Sequence, residues 1–172
     1  MARPRSIAII GVIGVVWGLG GTLAGLGGLL IILTTPDWFM TLVRREAEPE
    51  LAKVFTQALS DPEVRRWSFL LTAIQTGLNA MLLFGAIGLL RLQPKGWRLM
   101  MGYATGALLW AVADRVILNP TVYQSFRERY QIEDRTARHV PRFTLGLLYP
   151  ALSMYFLTRP KIRALYKQEE GE

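Results

Sequence analysis

Residues Ile7–Leu33 read IAIIGVIGVVWGLGGTLAGLGGLLIIL, an apolar run without one charged side chain. About 20 consecutive apolar residues cross the hydrocarbon core of a bilayer, so this run predicts a membrane helix that spans with some tilt. Gly11, Gly14, Gly18, Gly21, Gly25 and Gly28 recur within it at alternating intervals of three and four. That is an a/d heptad repeat written in the smallest side chain, and on a helix the six positions form one bare seam. Lipid offers no hydrophobic drive for helices to meet, so they associate through close backbone approach, which small residues permit. The seam is therefore expected to be a helix-packing strip for a helix of the same chain, a second copy or another membrane subunit. Its period favours left-handed crossing, although Gly14/Gly18 and Gly21/Gly25 also match the right-handed small-xxx-small spacing.

The chain has 172 residues, of which 51% are hydrophobic. It is expected to form a single membrane domain over 1–172, with no separate soluble one. With no cysteine there is no disulfide, thiolate metal site, lipoprotein attachment or thiol nucleophile. His139, the single histidine, cannot by itself build a histidine-ligated metal site or a bis-histidine haem site. The formal charge of +7 is read as basic residues that orient the chain and meet anionic headgroups, not as a nucleic-acid surface. Arg3 and Arg5 ahead of an apolar run resemble a signal peptide, whose apolar region is about 7–15 residues long. This one is roughly twice that and ends Ile-Ile-Leu-Thr-Thr-Pro, so it is expected to be retained.

Beyond the first span, Thr35-Pro36-Asp37 reads as a helix start with Thr35 as N-cap, and predicts an interfacial helix. It would rest Trp38, Phe39 and Leu42 at headgroup level while Arg44 and Arg45 face water. A second short helix from near Pro49 would carry Leu51, Val54, Phe55, Ala58 and Leu59 at helical spacing. Ser60-Asp61-Pro62-Glu63 repeats the start signal and leads into the second span. That span covers about 67–92 and holds Thr72, Gln75, Thr76 and Asn79 on one face, which should point into the bundle because unbonded polar groups in hydrocarbon are costly. Gln93-Pro94-Lys95-Gly96 is read as a tight turn. The third span covers about 97–117, with Gly102 and Gly106 as a small-residue pair, Trp110, and Asp114 and Arg115 near its far end. Asn119-Pro120 is expected to start another surface helix, and the last span, about 140–157, to bend at Pro150 before a charged tail.

The expected fold is thus all-α, a polytopic membrane protein of four transmembrane helices with amphipathic surface helices in the two long loops, 35–66 and 118–142. Lys and Arg cluster in the short segments around Arg3–Arg5, Arg91–Arg98 and Arg159–Lys167, which places both termini in the cytoplasm and the long loops outside. The expected location is a bacterial inner membrane. Pro36–Arg45 and Pro120–Arg129 share aromatic, hydroxyl and terminal arginine positions, which raises the question of two tandem hairpins.

Gln75, Asn79, Asp114 and Tyr149, with Thr144 nearby, fall in the outer half of the expected bundle and form a candidate polar pocket. Interhelical hydrogen bonding is the simpler use of such groups. The acids Glu46, Glu48 and Glu50 and the loop residue His139 are read as solvated. Neither Gly-x-Ser-x-Gly nor His-Glu-x-x-His nor a glycine-rich phosphate loop occurs, so no enzymatic activity, metal or cofactor is expected. The leading functional expectation is a structural or accessory membrane protein that packs against partner subunits or its own copies through the glycine-seamed helix. The alternative is a small-solute binding or transport protein that uses the polar pocket.

Overall fold

The computed structural model describes residues 5–35, 37–46, 56–57, 59–124, 128–129 and 140–167. Every element among them is helical: α1 (Arg5–Thr34), α2 (Asp37–Glu46), α3 (Pro62–Leu90), α4 (Pro94–Ala113), α5 (Val140–Leu157) and α6 (Pro160–Lys167). α4 continues as a π-helical segment, Asp114–Tyr123. Three of these helices, Arg5–Thr34, Pro62–Leu90 and Pro94–Leu118, are long and apolar enough to cross a membrane. In α5 the apolar described stretch, Leu147–Leu157, is shorter than a span.

α1 lies along α3 through its glycines. A side chain at Gly11 would strike Leu90, at Gly14 Ala86, at Gly18 the backbone of Leu83, at Gly21 Asn79, and at Gly25 Thr76; at Gly28 it would touch Thr72. Numbers rise along α1 as they fall along α3, so the pair is antiparallel, and α3 answers with its own alternation of fours and threes. Contact held from Gly11 to Gly28, about 25 Å at a rise of about 1.5 Å per residue, requires a small crossing angle, since steeply crossed helices diverge within a few turns. Gly20 and Gly27 lie off the seam and meet nothing within 4 Å. The large apolar side chains of α1 outside the seam, among them Val16 and Leu23 at 65% and 61% exposed, are bare. So much exposed hydrocarbon on one helix suits acyl chains and not water.

α3 and α4 meet as a hairpin. Asp61 caps α3, its carboxylate accepting from the Glu63 amide at 2.9 Å, with Pro62 at the first helical position. At the other end the Gln93 amide donates to Gly88 O and the Leu92 amide to Leu89 O, closing the helix around Leu92 at φ 57°. This is the double bond of a Schellman ending, with leucine where glycine is usual. The turn is therefore Arg91–Leu92, two residues earlier than the Gln93–Gly96 turn read from the sequence, and Gly96 belongs to α4. There it presses on the Gly88 backbone, and Gly85 on that of Met100.

Three further readings are corrected. Thr35 does not simply cap α2: its amide still bonds Ile31 O and its φ of 39° ends α1. Asn119-Pro120 does not begin a separate helix. Proline supplies no amide to an α- or a π-helix, yet the π-helical segment, with its wider i−5 bonding around it, carries the chain through Pro120 unbroken. Since α1 stops before Pro36 while this helix runs through Pro120, the two proposed hairpins differ at their matching prolines. The expected charged tail is instead α6, whose Ile162 and Tyr166 are buried at 6% and 3% exposure. The helix expected near Pro49 lies largely outside the described residues, which show helix at 56–57 and 59–60.

The packed core gathers at the end that carries the Arg91–Leu92 turn. Ile7, Ile10, Leu82, Ala86, Leu89, Met100, Tyr103, Ala104, Tyr149, Leu157, Ile162 and Tyr166 form one cluster there. Hydrogen bonds tie it across elements: Trp97 Nε1 donates to Leu157 O at 3.1 Å, and the Tyr166 hydroxyl to Leu89 O at 3.2 Å. At the opposite, open end Arg65 donates to Ile32 O and Leu33 O, a cation on the last carbonyls of α1. Arg129 bonds Asp61 and Glu63 at 3.0 and 3.2 Å. The Glu63 and Asp61 carboxylates hold its guanidinium protonated still further above its usual range.

Candidate binding cleft

Toward the open end α1 and α4 stand on either side of α3 with little between them. Where α4 faces inward it offers Ala107 and Ala111, and α1 offers Gly21, Ala24 and Gly25, so small side chains leave a cleft of about 670 Å³. That volume lies within the usual range for small-molecule sites, about 300–1,000 Å³. α3 supplies its back wall with Thr72, Gln75, Thr76 and Asn79, alongside Leu71 and Leu78. α4 adds Tyr103, Trp110 and, at the start of the π-helical segment, Asp114.

The polar groups are disposed in two ways. Thr76, 7% exposed, turns its hydroxyl back to Thr72 O at 2.7 Å, which satisfies it within its own helix. Gln75 and Asn79, by contrast, line the cleft, and among the described residues no hydrogen bond of either side chain is present. Each amide carries two donors and an acceptor with two lone pairs, so both have their capacity directed to whatever fills the space. Asp114 lines the same cleft and is half-buried. It also takes part in an interaction within the chain, and a carboxylate's two oxygens accept about four hydrogen bonds.

Of the four residues read from the sequence as a polar pocket, the structure brings Gln75, Asn79 and Asp114 together and separates Tyr149. Tyr149 is buried at 9% exposure in the core, where its hydroxyl donates to Ile10 O at 2.9 Å. Its ring meets Trp17 edge-on at 5.6 Å and lies 6.3 Å from Tyr103. Tyr149 therefore stands behind the cleft's floor residue Tyr103. The bare face of Gly14 admits it: a Cβ there would lie 2.6 Å from the Tyr149 oxygen. Thr144's side chain, Glu48, Glu50 and His139 lie outside what the structure describes, while Glu46 pairs with Arg45 at the surface, 3.9 Å away. Tyr103 and Trp110 escaped the sequence reading as site residues. Their signal is the Tyr103-Ala107-Trp110-Asp114 series, which by its four-three-four spacing is one face of α4.

The glycine strip is filled from within the chain. All six seam glycines meet α3, and Gly14 meets Tyr149 as well. Among the described residues no three His, Cys, Asp or Glu side chains converge as metal ligands would. No protein family, curated protein or solved structure matches this chain.

Proposed function

We propose that this chain is an integral protein of a bacterial inner membrane, crossing it four times with both termini in the cytoplasm, and that it binds a small polar solute in the cleft between α1, α3 and α4. The observation that carries the reading is the pair of amides, Gln75 and Asn79, that line the cleft with no hydrogen bond to the described chain. Polar side chains at membrane depth are costly unless bonded, and bonding across helices would be the ordinary way to offset that cost. Here they face a space instead. Orientation rests on Arg91, Lys95, Arg98, Arg159, Lys161 and Arg163, all at the turn end of the hairpins, which makes that end cytoplasmic and opens the cleft outward.

The accessory reading drew on a seam free to receive a partner, and α3 occupies it. A partner subunit would have to use other faces of α1, and co-purification of a larger assembly in mild detergent would favour that reading. The absence of native cysteine offers a direct test of the cleft. Ala107→Cys, in phosphatidylglycerol nanodiscs, should react with small water-soluble methanethiosulfonates, while Leu109→Cys on the exposed face of α4 should not. A panel of small polar solutes of either charge and none should include one that slows the reaction. Equal, negligible labelling at both positions, with no protection by any solute, rejects the proposal.

A further inference from the structure

We infer that the cleft selects a solute carrying an ammonium group, with polar atoms on its remainder; this rests on the binding reading above and specifies its ligand. Three features of α4 support it. Asp114 is the single acidic side chain, and no basic one joins it, among the described residues that line the cleft. Trp110, one turn earlier on the same face, also lines the cleft, and Tyr103 lines it about 16 Å from Asp114 along α4 at a rise of about 1.5 Å per residue. A carboxyl group one turn from an indole is a pairing that suits organic cations, because the ring quadrupole attracts positive charge and a low-dielectric wall strengthens both attractions. The next basic residue, Arg115, is exposed and does not line the cleft.

The far wall completes the recognition. Gln75 and Asn79 are neutral and offer both donors and acceptors, which suits hydroxyl, ether or ester oxygens and does not counter the negative sign set by Asp114. An anionic solute would meet Asp114 in a cleft whose described lining holds no basic side chain. Such an ammonium arrives from one of two sources, a free amine or the ethanolamine headgroup of a bilayer lipid, and the chemistry that recognises it is the same.

The test uses the full chain with Ala107→Cys in phosphatidylglycerol nanodiscs, whose lipids carry no ammonium. The cationic ethyltrimethylammonium methanethiosulfonate should outpace the anionic ethylsulfonate by about tenfold more than it does at Thr41→Cys, a site on exposed α2, as a carboxylate nearby would impose. Adding Asp114→Asn should return that ratio to the Thr41→Cys value while labelling persists, which shows that the fold and cleft remain. Ethanolamine and tetramethylammonium should protect, and ethylene glycol and glycolate should not. Slower labelling in phosphatidylethanolamine nanodiscs assigns the lipid headgroup as the source; unchanged labelling there, with protection by free ethanolamine, assigns the free amine. Protection by ethylene glycol equal to that by ethanolamine, or a charge ratio indifferent to Asp114→Asn, overturns the ammonium inference and leaves the binding reading intact. No labelling and no protection by any solute overturns both.

Discussion

Gly18 and Gly20 are two residues apart on α1, yet alanine should affect them in opposite directions. At Gly18 the added Cβ would lie 2.6 Å from the Leu83 amide nitrogen and 2.8 Å from its Cα, where ordinary contact begins at 3.4 Å. Backbone atoms cannot rotate aside, so the helices must part locally by nearly an ångström. A gap of that size forfeits about a quarter to a half of each dispersion contact, and summed along the seam at about 0.1–0.2 kcal/mol per pair it costs about 2 kcal/mol, in line with overpacked cores. At Gly20 the same methyl meets nothing within 4 Å. There only the backbone preference remains, which favours alanine over glycine by up to about 1 kcal/mol in a helix interior. Because that preference acts at both sites it cancels in the comparison, and the two variants should differ by about 2 kcal/mol. Reversible unfolding in dodecyl maltoside titrated with sodium dodecyl sulfate, followed by circular dichroism, reads this directly. Variants within about 0.5 kcal/mol of each other, the usual scatter of surface substitutions, would refute the packing argument. So would a Gly20→Ala more damaging than Gly18→Ala.

Other outcomes follow from the same contacts. Tyr149→Phe removes the hydroxyl bond to Ile10 O and should destabilise by about 0.6 kcal/mol, the average for such bonds in membranes, measured in the same titration. Gly96→Ala drives a methyl into the Gly88 backbone whereas Gly77→Ala enters open space, so the first should sharply lower the yield of monodisperse protein on size exclusion and the second should leave it unchanged. Arg65→Gln withdraws the guanidinium from Ile32 O and Leu33 O. Amide exchange in the last turn of α1 should then quicken about threefold, as a loss of roughly 0.5–1 kcal/mol at a helix terminus implies, and Arg65→Lys should be intermediate.

What was legible in the sequence was whatever rests on periodicity. The seam of α1 is written in its glycines, the start of α3 in Asp61-Pro62-Glu63, and the polar face of α3 in the spacing of Thr72, Gln75, Thr76 and Asn79. That face divides once the helices dock: Thr72, Thr76 and Asn79 sit against seam glycines, while Gln75, between Thr72 and Thr76 in sequence, lies outside the seam contacts. Features that depend on local exceptions were not legible. Leu92 adopts a conformation usually left to glycine, so the turn was read around Gly96, and Gly96 is needed where two backbones touch. Pro120 reads as a helix breaker, yet the chain passes it in a π-helical segment that the α-helix rule does not describe. α6 was missed because Arg159, Lys161, Arg163 and Lys167 mask the Ile162-Leu165-Tyr166 stripe that buries it. Tyr149 was grouped with the pocket by depth alone, yet depth does not fix direction, and Gly14 draws its hydroxyl toward α1 instead.

The seam register itself is best tested by cross-linking, since introduced cysteines have no native thiol to compete with them. A Cβ at Gly28 would lie 3.5 Å from Thr72 Cγ2, the place a cysteine sulfur at 72 can take, so a disulfide closes there with a small adjustment, whereas Gly27 faces open space. With a protease site placed within residues 47–55, Gly28→Cys with Thr72→Cys should, after mild oxidation and cleavage, keep the two fragments joined at the mass of one chain. Gly27→Cys with Thr72→Cys should release them. Fragments released from the first pair, or a product at twice the chain mass, would mean that the bare edge of α1 does not lie on α3 of its own chain.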